Sequence, residues 1–328
     1  MVTIEKIAET LGVNKSTVSK ALRGVNDISK DTAEKIRKTA AELGYVKKHG
    51  KKNNVLAVVV PEIDNAIYSD IANNLIRKSE KSGYTCSVFS YNFNFDDFER
   101  ILKGIGDNVD GFFVVVANLF GNSFITSLKR CKVPFVLISS EDYGLACDCV
   151  WINEKYGVES VFNHLTELGH GDFAFIGDAL GVSRVKMLKE IAERNGIKIK
   201  DKNIVVSNER GFLCGYKCAE TLLNGGERFT ALIAQYDDIA IGAIKYLTEK
   251  GIKVPEDVSV VGFDDAAYCD YTSPSLTSVN SETEQLCEIS FEMLEKKIKE
   301  NVSVYQSVLV RTKLNVRDST AKAKKFRN

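Results

Sequence analysis

Three groupings in this 328-residue chain have residue types and spacings that could do chemistry. The first is Lys15, Ser16, Thr17, Ser19, Lys20 and Arg23, hydroxyls and cations within nine residues. Ser and Thr hydroxyls reach phosphates or base edges, and a Lys ammonium reaches guanine acceptors. The second is Asp264-Asp265, adjacent carboxylates of the kind used in acid–base work. Neighbours at a strand end point to opposite sides, so the pair fails as a catalytic dyad. The third is the set of eight cysteines, with close pairs only at Cys147-x-Cys149 and Cys214-x-x-x-Cys218. His49, His164 and His170 are the only histidines, each isolated and none at zinc spacing. The cysteines therefore read as small, reduced core or surface residues. There is no Gly-x-x-x-x-Gly-Lys phosphate loop and no Gly-x-Ser-x-Gly elbow. An enzyme is the poorer reading, and no metal or cofactor is called for.

The first grouping must be carried by a helix. Ile4, Ile7, Ala8 and Leu11 recur at helical spacing behind Thr3, which can cap a first helix; Lys6 sits where a capping box wants Glu or Gln. Gly12 breaks the run, and Asn14 can cap a second helix over about 15–23 that buries Val18, Ala21 and Leu22. Ser29 or Asp31 caps a third, whose inner stripe is Ile36, Ala40 and Leu43 before Gly44. Two helices joined by a Gly-containing turn, the second with a short polar and basic outer face, form a helix-turn-helix.

Charge supports a polyanionic partner. Lys+Arg and Asp+Glu each total 44, but twelve Lys/Arg face six Asp/Glu over residues 1–52, while the middle of the chain is acidic. The longest apolar runs, Val55–Val60 and Gly111–Leu119, fall short of the roughly 18 residues of a membrane span. No basic-then-apolar leader opens the chain, so a cytoplasmic location is expected.

From Val55 onward, short apolar runs alternate with helical stretches. Strands are expected over 55–61, 85–91, 111–117, 135–139, 150–152, 173–177, 204–207, 231–235 and 259–262, with eight helices interleaved. Continuous apolar strands of this kind belong to parallel sheets covered on both faces. Nine are too many for one compact core, so two lobes are expected.

The stretch Val2-Thr3-Ile4-Glu5-Lys6-Ile7-Ala8 … Gly12-Val13-Asn14-Lys15-Ser16-Thr17-Val18-Ser19-Lys20-Ala21-Leu22 closely resembles the DNA-binding headpiece of the lactose-repressor (LacI/GalR) family. Ile28-Ser29-Lys30-Asp31-Thr32 and Ala41-Glu42-Leu43-Gly44-Tyr45 extend the likeness. Further blocks are Val133-Pro134-Phe135, His164-Leu165-Thr166-Glu167-Leu168-Gly169-His170 and, most specific, Val254-Pro255-Glu256-Asp257-Val258-Ser259-Val260-Val261-Gly262-Phe263-Asp264-Asp265. The resemblance implies an all-α helix-turn-helix headpiece followed by an α/β two-lobed periplasmic-binding-protein-like (type I) domain. It implies a helix-turn-helix domain at 1–46, a shortened basic linker at 47–54, the two-lobed domain at 55–318 and a basic tail at 319–328. Lobe 1 would span about 55–153 and 281–307, and lobe 2 about 154–279 and 308–318, with crossovers near 153, 280 and 308.

The resemblance also implies a function: a repressor-type regulator binding a palindromic operator as a homodimer, its affinity modulated by a small-molecule effector between the lobes, with carbohydrate the leading class. The alternative is a regulator of the same fold that answers to no effector or to a nucleoside-like one. Lys15, Ser16 and Lys20 stand at base-reading positions, and Thr3, Asn14, Thr17, Ser19, Ser29, Thr32 and Tyr45 at phosphate-contact positions. Arg184, Asp237 and Asp264 match polar ligand-holding residues, and Tyr68, Phe93, Phe120 and Phe212 could supply stacking faces. The helices around 67–82 and 283–300 are candidate dimer faces.

Three departures from the family pattern matter. Lys20 replaces the usual Arg, trading a bidentate fork for a point charge. Only nine residues separate Tyr45 from Val55, too few for the family's hinge helix and without its Leu wedge. Lys47, Lys48, Lys51 and Lys52 then act through phosphate charge, or the segment is an ordinary tether. In the pocket, Tyr236 replaces the usual Asn, Ser139 the usual Asp and Ser140 the usual Arg. That adds bulk and removes hydrogen-bonding charge, which suits a larger or less polar effector than a monosaccharide, or a pocket filled by its own side chains.

Overall fold

The computed structural model describes residues 2–23, 28–43, 53–116, 121–140, 142–144, 146–226, 228–300 and 304–324. It divides the chain into two compact units, Met1–Lys52 and Asn53–Asn328.

The first unit holds α1 (Ile4–Leu11), α2 (Lys15–Arg23) and α3 (Lys30–Glu42). Thr3 caps α1, its Oγ1 accepting the Lys6 amide at 3.4 Å. Gly12 at φ +64° turns the chain out of α1, in the left-handed region that a side chain resists. Ser29, rather than Asp31, caps α3 by accepting the Thr32 amide at 3.2 Å. One stripe from each helix meets in the middle: Ile7 and Ala8, Val18 and Ala21, Ile36 and Ala40. Burying each of the larger three contributes about 1.5–3 kcal/mol. Tyr45, Lys47, Lys48, Lys51 and Lys52 lie outside the described residues, as does Phe120.

The second unit is α/β. Its first half runs β1 (Val55–Val60), α4 (Ala66–Lys81), β2 (Thr85–Ser90), α5 (Phe95–Ile105), β3 (Gly111–Val116), α6 (Gly121–Lys129), β4 (Phe135–Ser139) and β5 (Asp148–Ile152). It continues with α7 (Glu154–Glu167), β6 (Phe173–Asp178), α8 (Val182–Arg194), β7 (Ile204–Ser207), α9 (Gly211–Asn224), β8 (Ala231–Ala234), α10 (Asp237–Glu249) and β9 (Ser259–Asp264). The chain closes with β10 (Thr277–Asn280), α11 (Thr283–Glu300), β11 (Ser307–Val310) and β12 (Lys313–Asn315).

These strands build two six-stranded sheets, ordered β11-β5-β4-β3-β1-β2 and β12-β10-β9-β8-β6-β7. All pairings are parallel except β10 with β12. Helices cover both faces of each sheet, which is why β1, β3 and β6 are almost wholly buried. Alternate residues serve opposite cores: Leu56, Val58 and Val60 pack one face of the first sheet, Ala57 and Val59 the other. Side-chain amides start three helices, Asn65 for α4, Asn94 for α5 and Asn153 for α7.

Strands β10, β11 and β12 were not among the nine runs expected from apolarity. They are short, and only β10 is buried along most of its length. Strand β11 corrects the third crossover: Val308 pairs with Val150 in the first sheet, so the passage to the second sheet falls at 311–312 rather than near 308. The expected tail is also corrected over 319–324. Ser319 is fully buried, its hydroxyl donates to the Val260 carbonyl at 2.6 Å, and the Ala323 amide donates to the Leu168 carbonyl at 2.9 Å. That stretch is a strap on the second sheet, held by backbone hydrogen bonds that its basic composition does not signal.

Helices α4 and α11 spend their apolar stripes on the first sheet through Ile71, Leu75, Leu286 and Leu294. Exposed apolar side chains stand elsewhere: Val88 on the edge strand β2, Val206 on the edge strand β7, and Phe212 and Leu213 at the start of α9.

Candidate functional site

On the first unit, α2 locks inward through Val18 and Ala21 and leaves Lys15 and Ser16 exposed, with Thr17, Ser19 and Lys20 half-buried. Lys15 Nζ pairs with Glu5 Oε1 of α1 at 3.1 Å. Its own backbone amide and then Lys15 hold the Glu5 carboxyl down at about 2. Thr3 and Ser29 serve as helix caps, and Thr32 shares a 2.7 Å hydrogen bond with Ser29. Asn14 is exposed and its carbonyl receives the amides of Thr17 and Val18. The Arg23 side chain lies outside the described residues.

In the second unit, a cavity of about 430 Å³ lies at the carboxyl ends of strands from both sheets. Such strand ends are where open α/β sheets hold ligands. The first lobe contributes an apolar wall of Ile67, Ile71, Val115, Val116, Ile138 and Ile152, with Tyr68 and Ser139 beside it. The second lobe contributes Glu154, Arg184, Tyr236, Phe263 and Asp264. Tyr68, Ser139, Arg184, Tyr236 and Asp264 thus meet in one cavity.

Arg184 is only 9% exposed, and its charge is answered from within. Nη2 donates to Glu154 Oε1 at 2.9 Å, and Nη1 donates to the Gln235 carbonyl. The guanidinium lies 4.2 Å from the Phe263 ring centre and 5.6 Å from that of Tyr236. Burial is the largest influence and opposes the charge, but Glu154, Tyr236 and Asp264 together outweigh it, and Arg184 is held more firmly protonated than usual. Nε is buried, and among the described residues it has no hydrogen-bond partner. Burial lifts the Tyr68 and Tyr236 hydroxyls well above their ordinary range, so both stay protonated. Ser139 is turned aside, its Oγ 3.6 Å from Cys149 Sγ.

Asp264 sits at φ +100°, a backbone conformation that non-glycine residues rarely adopt. Burial, then the neighbouring Asp237, pushes its carboxyl well above the usual range. Among the described residues no hydrogen bond or ion pair reaches that carboxylate. Asp265 faces the other way, accepting from Arg317 at 2.7 Å and Asn280 at 2.9 Å. The pair diverges, as adjacent strand-end residues must.

Asp237 does not line the cavity. Its carboxylate accepts from Ser278 Oγ at 2.5 Å and from the Ala266 amide at 2.8 Å, behind β9. Only a glycine at 262 leaves room, since a Cβ there would overlap Asp237 Oδ1. The carboxylate ties down the loop after β9 and so acts on Asp264 from behind. Phe212 is also off the cavity, exposed beside Tyr268. Phe93 packs edge-on to Tyr68 with ring centres 6.4 Å apart and lies under Arg210.

Sequence reasoning missed Glu154 and Phe263 in the cavity, and a clasp beside it. Arg210 Nη1 pairs with Asp178 Oδ2 of its own lobe at 2.9 Å. Nη2 pairs with Glu62 of the first lobe, and the guanidinium lies 5.2 Å from the Phe93 ring centre. An acidic residue following the first strand and an Arg starting a helix 148 residues later carry no local motif. The signal available was positional: both follow strand ends, where cleft residues must lie.

Residues 3–48 match the family model of bacterial regulatory proteins of the lacI family, and residues 162–320 match that of periplasmic binding protein-like domains. Catabolite control protein A of Priestia megaterium is 25% identical over 331 residues, spanning 97% of this chain and 99% of the relative. A solved complex of the transcriptional regulator CelR with cellobiose is 25% identical with a TM-score of 0.72, covering 97% of this chain and all of that one. The lac repressor dimer bound to operator and the anti-inducer ONPF shares the fold, with a TM-score of 0.74 at 23% identity over 98% of this chain and 99% of that one.

Proposed function

Because this chain belongs to the LacI family of bacterial regulatory proteins, DNA-binding regulators of transcription, we propose that it grips a palindromic operator as a homodimer and acts as a repressor. A small molecule in the cavity between the lobes, a carbohydrate or a carbohydrate-bearing compound, modulates that grip. The observation that carries this reading is the single exposed polar and basic face of α2, held outward by Val18 and Ala21. One such helix makes few base contacts, so two copies on an inverted repeat are needed for affinity.

Within α2 and its surroundings, Lys15, Ser16 and Lys20 read bases, while Thr3, Asn14, Thr17, Ser19, Arg23, Ser29, Thr32 and Tyr45 meet phosphates. Lys47, Lys48, Lys51 and Lys52 add phosphate charge. The second copy docks along the sheet edges away from the crossovers, where Val88, Val206, Phe212 and Leu213 are exposed. Tyr68, Arg184, Tyr236 and Asp264 hold the effector. We assign no catalytic step, and the place of action is the cytoplasm; among the described residues no helix is long and apolar enough to cross a membrane.

Effector coupling requires that the ligand prefer one lobe arrangement over the other. The test is fluorescence anisotropy of an inverted-repeat library against scrambled duplex over a salt series, with and without sugars and nucleosides. Preference for a repeat, altered by one compound and not altered in Arg184→Ala, supports the whole reading. Equal binding to every duplex refutes it.

A further inference from the structure

We propose a second small-molecule site, in the first lobe and away from the cleft, for a small carboxylic acid with an aromatic or branched aliphatic body. The site is a pocket of about 280 Å³ between the last turn of α5 and the turn that follows α6, with β3 beneath it. It lies at the amino ends of β3 and β4, whereas the cleft lies at carboxyl ends, and the two cavities share no lining residue.

The floor is apolar. Leu102 and Ile105 of α5, Phe112 of β3 and Val133 ahead of β4 form it. A hydrocarbon body seated there leaves water, which is favourable in proportion to the area covered. The volume falls just below the range of about 300–1,000 Å³ that suits drug-sized ligands, so a single ring or a short branched chain fits.

The rim is cationic. Lys103 stands on the α5 side and Arg130 and Lys132 on the other, all three exposed. Among the described residues Glu99 is the one carboxylate of the lining, and it is already engaged. Ser127 Oγ donates to its Oε1 at 2.6 Å, and Lys103 Nζ pairs with its Oε2 at 3.5 Å. The Ser127 hydrogen bond is the main cause that holds the Glu99 carboxyl below its usual range. Among the described residues neither Arg130 nor Lys132 is in an ion pair. Both helices end here, but their partial negative ends, about half a charge each, leave the side-chain cations in excess. An entering carboxylate thus finds a cation on either side, while the ammonium of a free amino acid would be repelled by the same groups.

The pocket carries its own reporter. Cys131 lines it, half-buried, with Sγ 3.7 Å from the Ser127 carbonyl oxygen, and burial raises its thiol. Cys86, on β2, is the other half-buried cysteine and serves as the internal control.

Alkylation of the full chain by iodoacetamide, followed at each cysteine by peptide mass spectrometry, tests the site. The probes are phenylacetate, indole-3-acetate and 3-methylbutanoate, beside phenylacetamide and phenylalanine. A bound acid should slow Cys131 about tenfold at about ten times its half-protecting concentration and leave Cys86 unchanged. Phenylacetamide and phenylalanine should require about tenfold more for the same protection. Arg130→Gln combined with Lys132→Gln should erase the advantage of phenylacetate over its amide and keep protection by the amide. Both side chains are exposed, so an unchanged melting temperature is expected for that variant. If no acid slows Cys131 at about 10 mM, or if the amide protects as well as the acid, the proposal is overturned. Equal slowing of Cys131 and Cys86, or an acid preference that survives in the double variant, overturns it too. None of these outcomes bears on the cleft.

Discussion

Arg210 of the second lobe and Glu62 of the first form an ion pair across the mouth of the cleft. Glu62 follows β1 and Arg210 follows β7, which places the pair toward the free sheet edges. The three crossovers run from β5, β10 and β11, toward the opposite edges. The lobes are therefore joined covalently along one side and by a charge pair on the other.

That arrangement predicts that Arg210→Ala widens the cleft. The Arg210 side chain is 38% exposed, so screening weakens the pair, but Asp178 behind it is buried and would lose its cation. A loss of about 1–3 kcal/mol in thermal or urea stability is expected. Small-angle scattering should show a larger radius of gyration for the variant, and an unchanged radius would count against the clasp.

The DNA-reading assignment predicts a split between specific and random duplex. Lys15→Ala and Ser16→Ala should cost about tenfold on the preferred repeat and little on scrambled DNA. Glu5→Gln removes the carboxylate that holds Lys15, and should raise affinity for both by about threefold at low salt. Anisotropy titrations read all three; equal losses on both duplexes for Lys15→Ala would contradict its base-reading role.

Asp237 predicts a particular pH dependence. Burial, against the opposing hydrogen bonds of Ser278 and Ala266, raises its carboxyl from 3.8 to about 7. The fold thus prefers the protonated form. Its contribution is fully present below pH 3.8 and is lost as pH rises through about 7. Asp237→Asn cannot ionise, so the melting temperature of the wild type relative to this variant should fall between about pH 4 and pH 7. A constant difference across that range would refute the raised pKa.

Helices α9 and α10 cross so closely that two glycines are required. A Cβ on Gly215 would overlap the Ile239 carbonyl oxygen, and one on Gly242 would overlap that of Phe212. Backbone cannot step aside as a side chain can, so Gly215→Ala or Gly242→Ala should cost about 3 kcal/mol or more. Chemical denaturation measures this directly, and a loss below about 1 kcal/mol would show that the helices can separate.

Much of the architecture was legible because its signals are local. The outward face of α2 follows from Val18 and Ala21 at helical spacing, and α9 is bounded by Gly211 and Gly225. The buried strands announced themselves as unbroken apolar runs such as Val55–Val60. Strands β11 and β12 did not, because an edge strand of three or four residues alternates too briefly to leave a period. The cavity was legible in part. Asp264 ends β9 and Arg184 lies in the first turn of α8, and the family resemblance marks both. The resemblance marks Asp237 too, yet its side chain turns behind β9, because its direction is set by tertiary partners such as Ser278. Glu154 and Arg210 were hidden because their roles arise only when distant strand ends converge.

The brevity of the link between β11 and β12 bears on how the molecule is made. The first sheet lacks its edge strand until residue 310 has been synthesised, and the second lacks its own until residue 315. Neither half of the body is a contiguous stretch of chain, so both must wait for β11 and β12, five residues apart at their ends, before their sheets are complete. A premature stop as late as Gln306 would leave both halves with raw borders open to aggregation, and no excision of a single interval could yield either half intact.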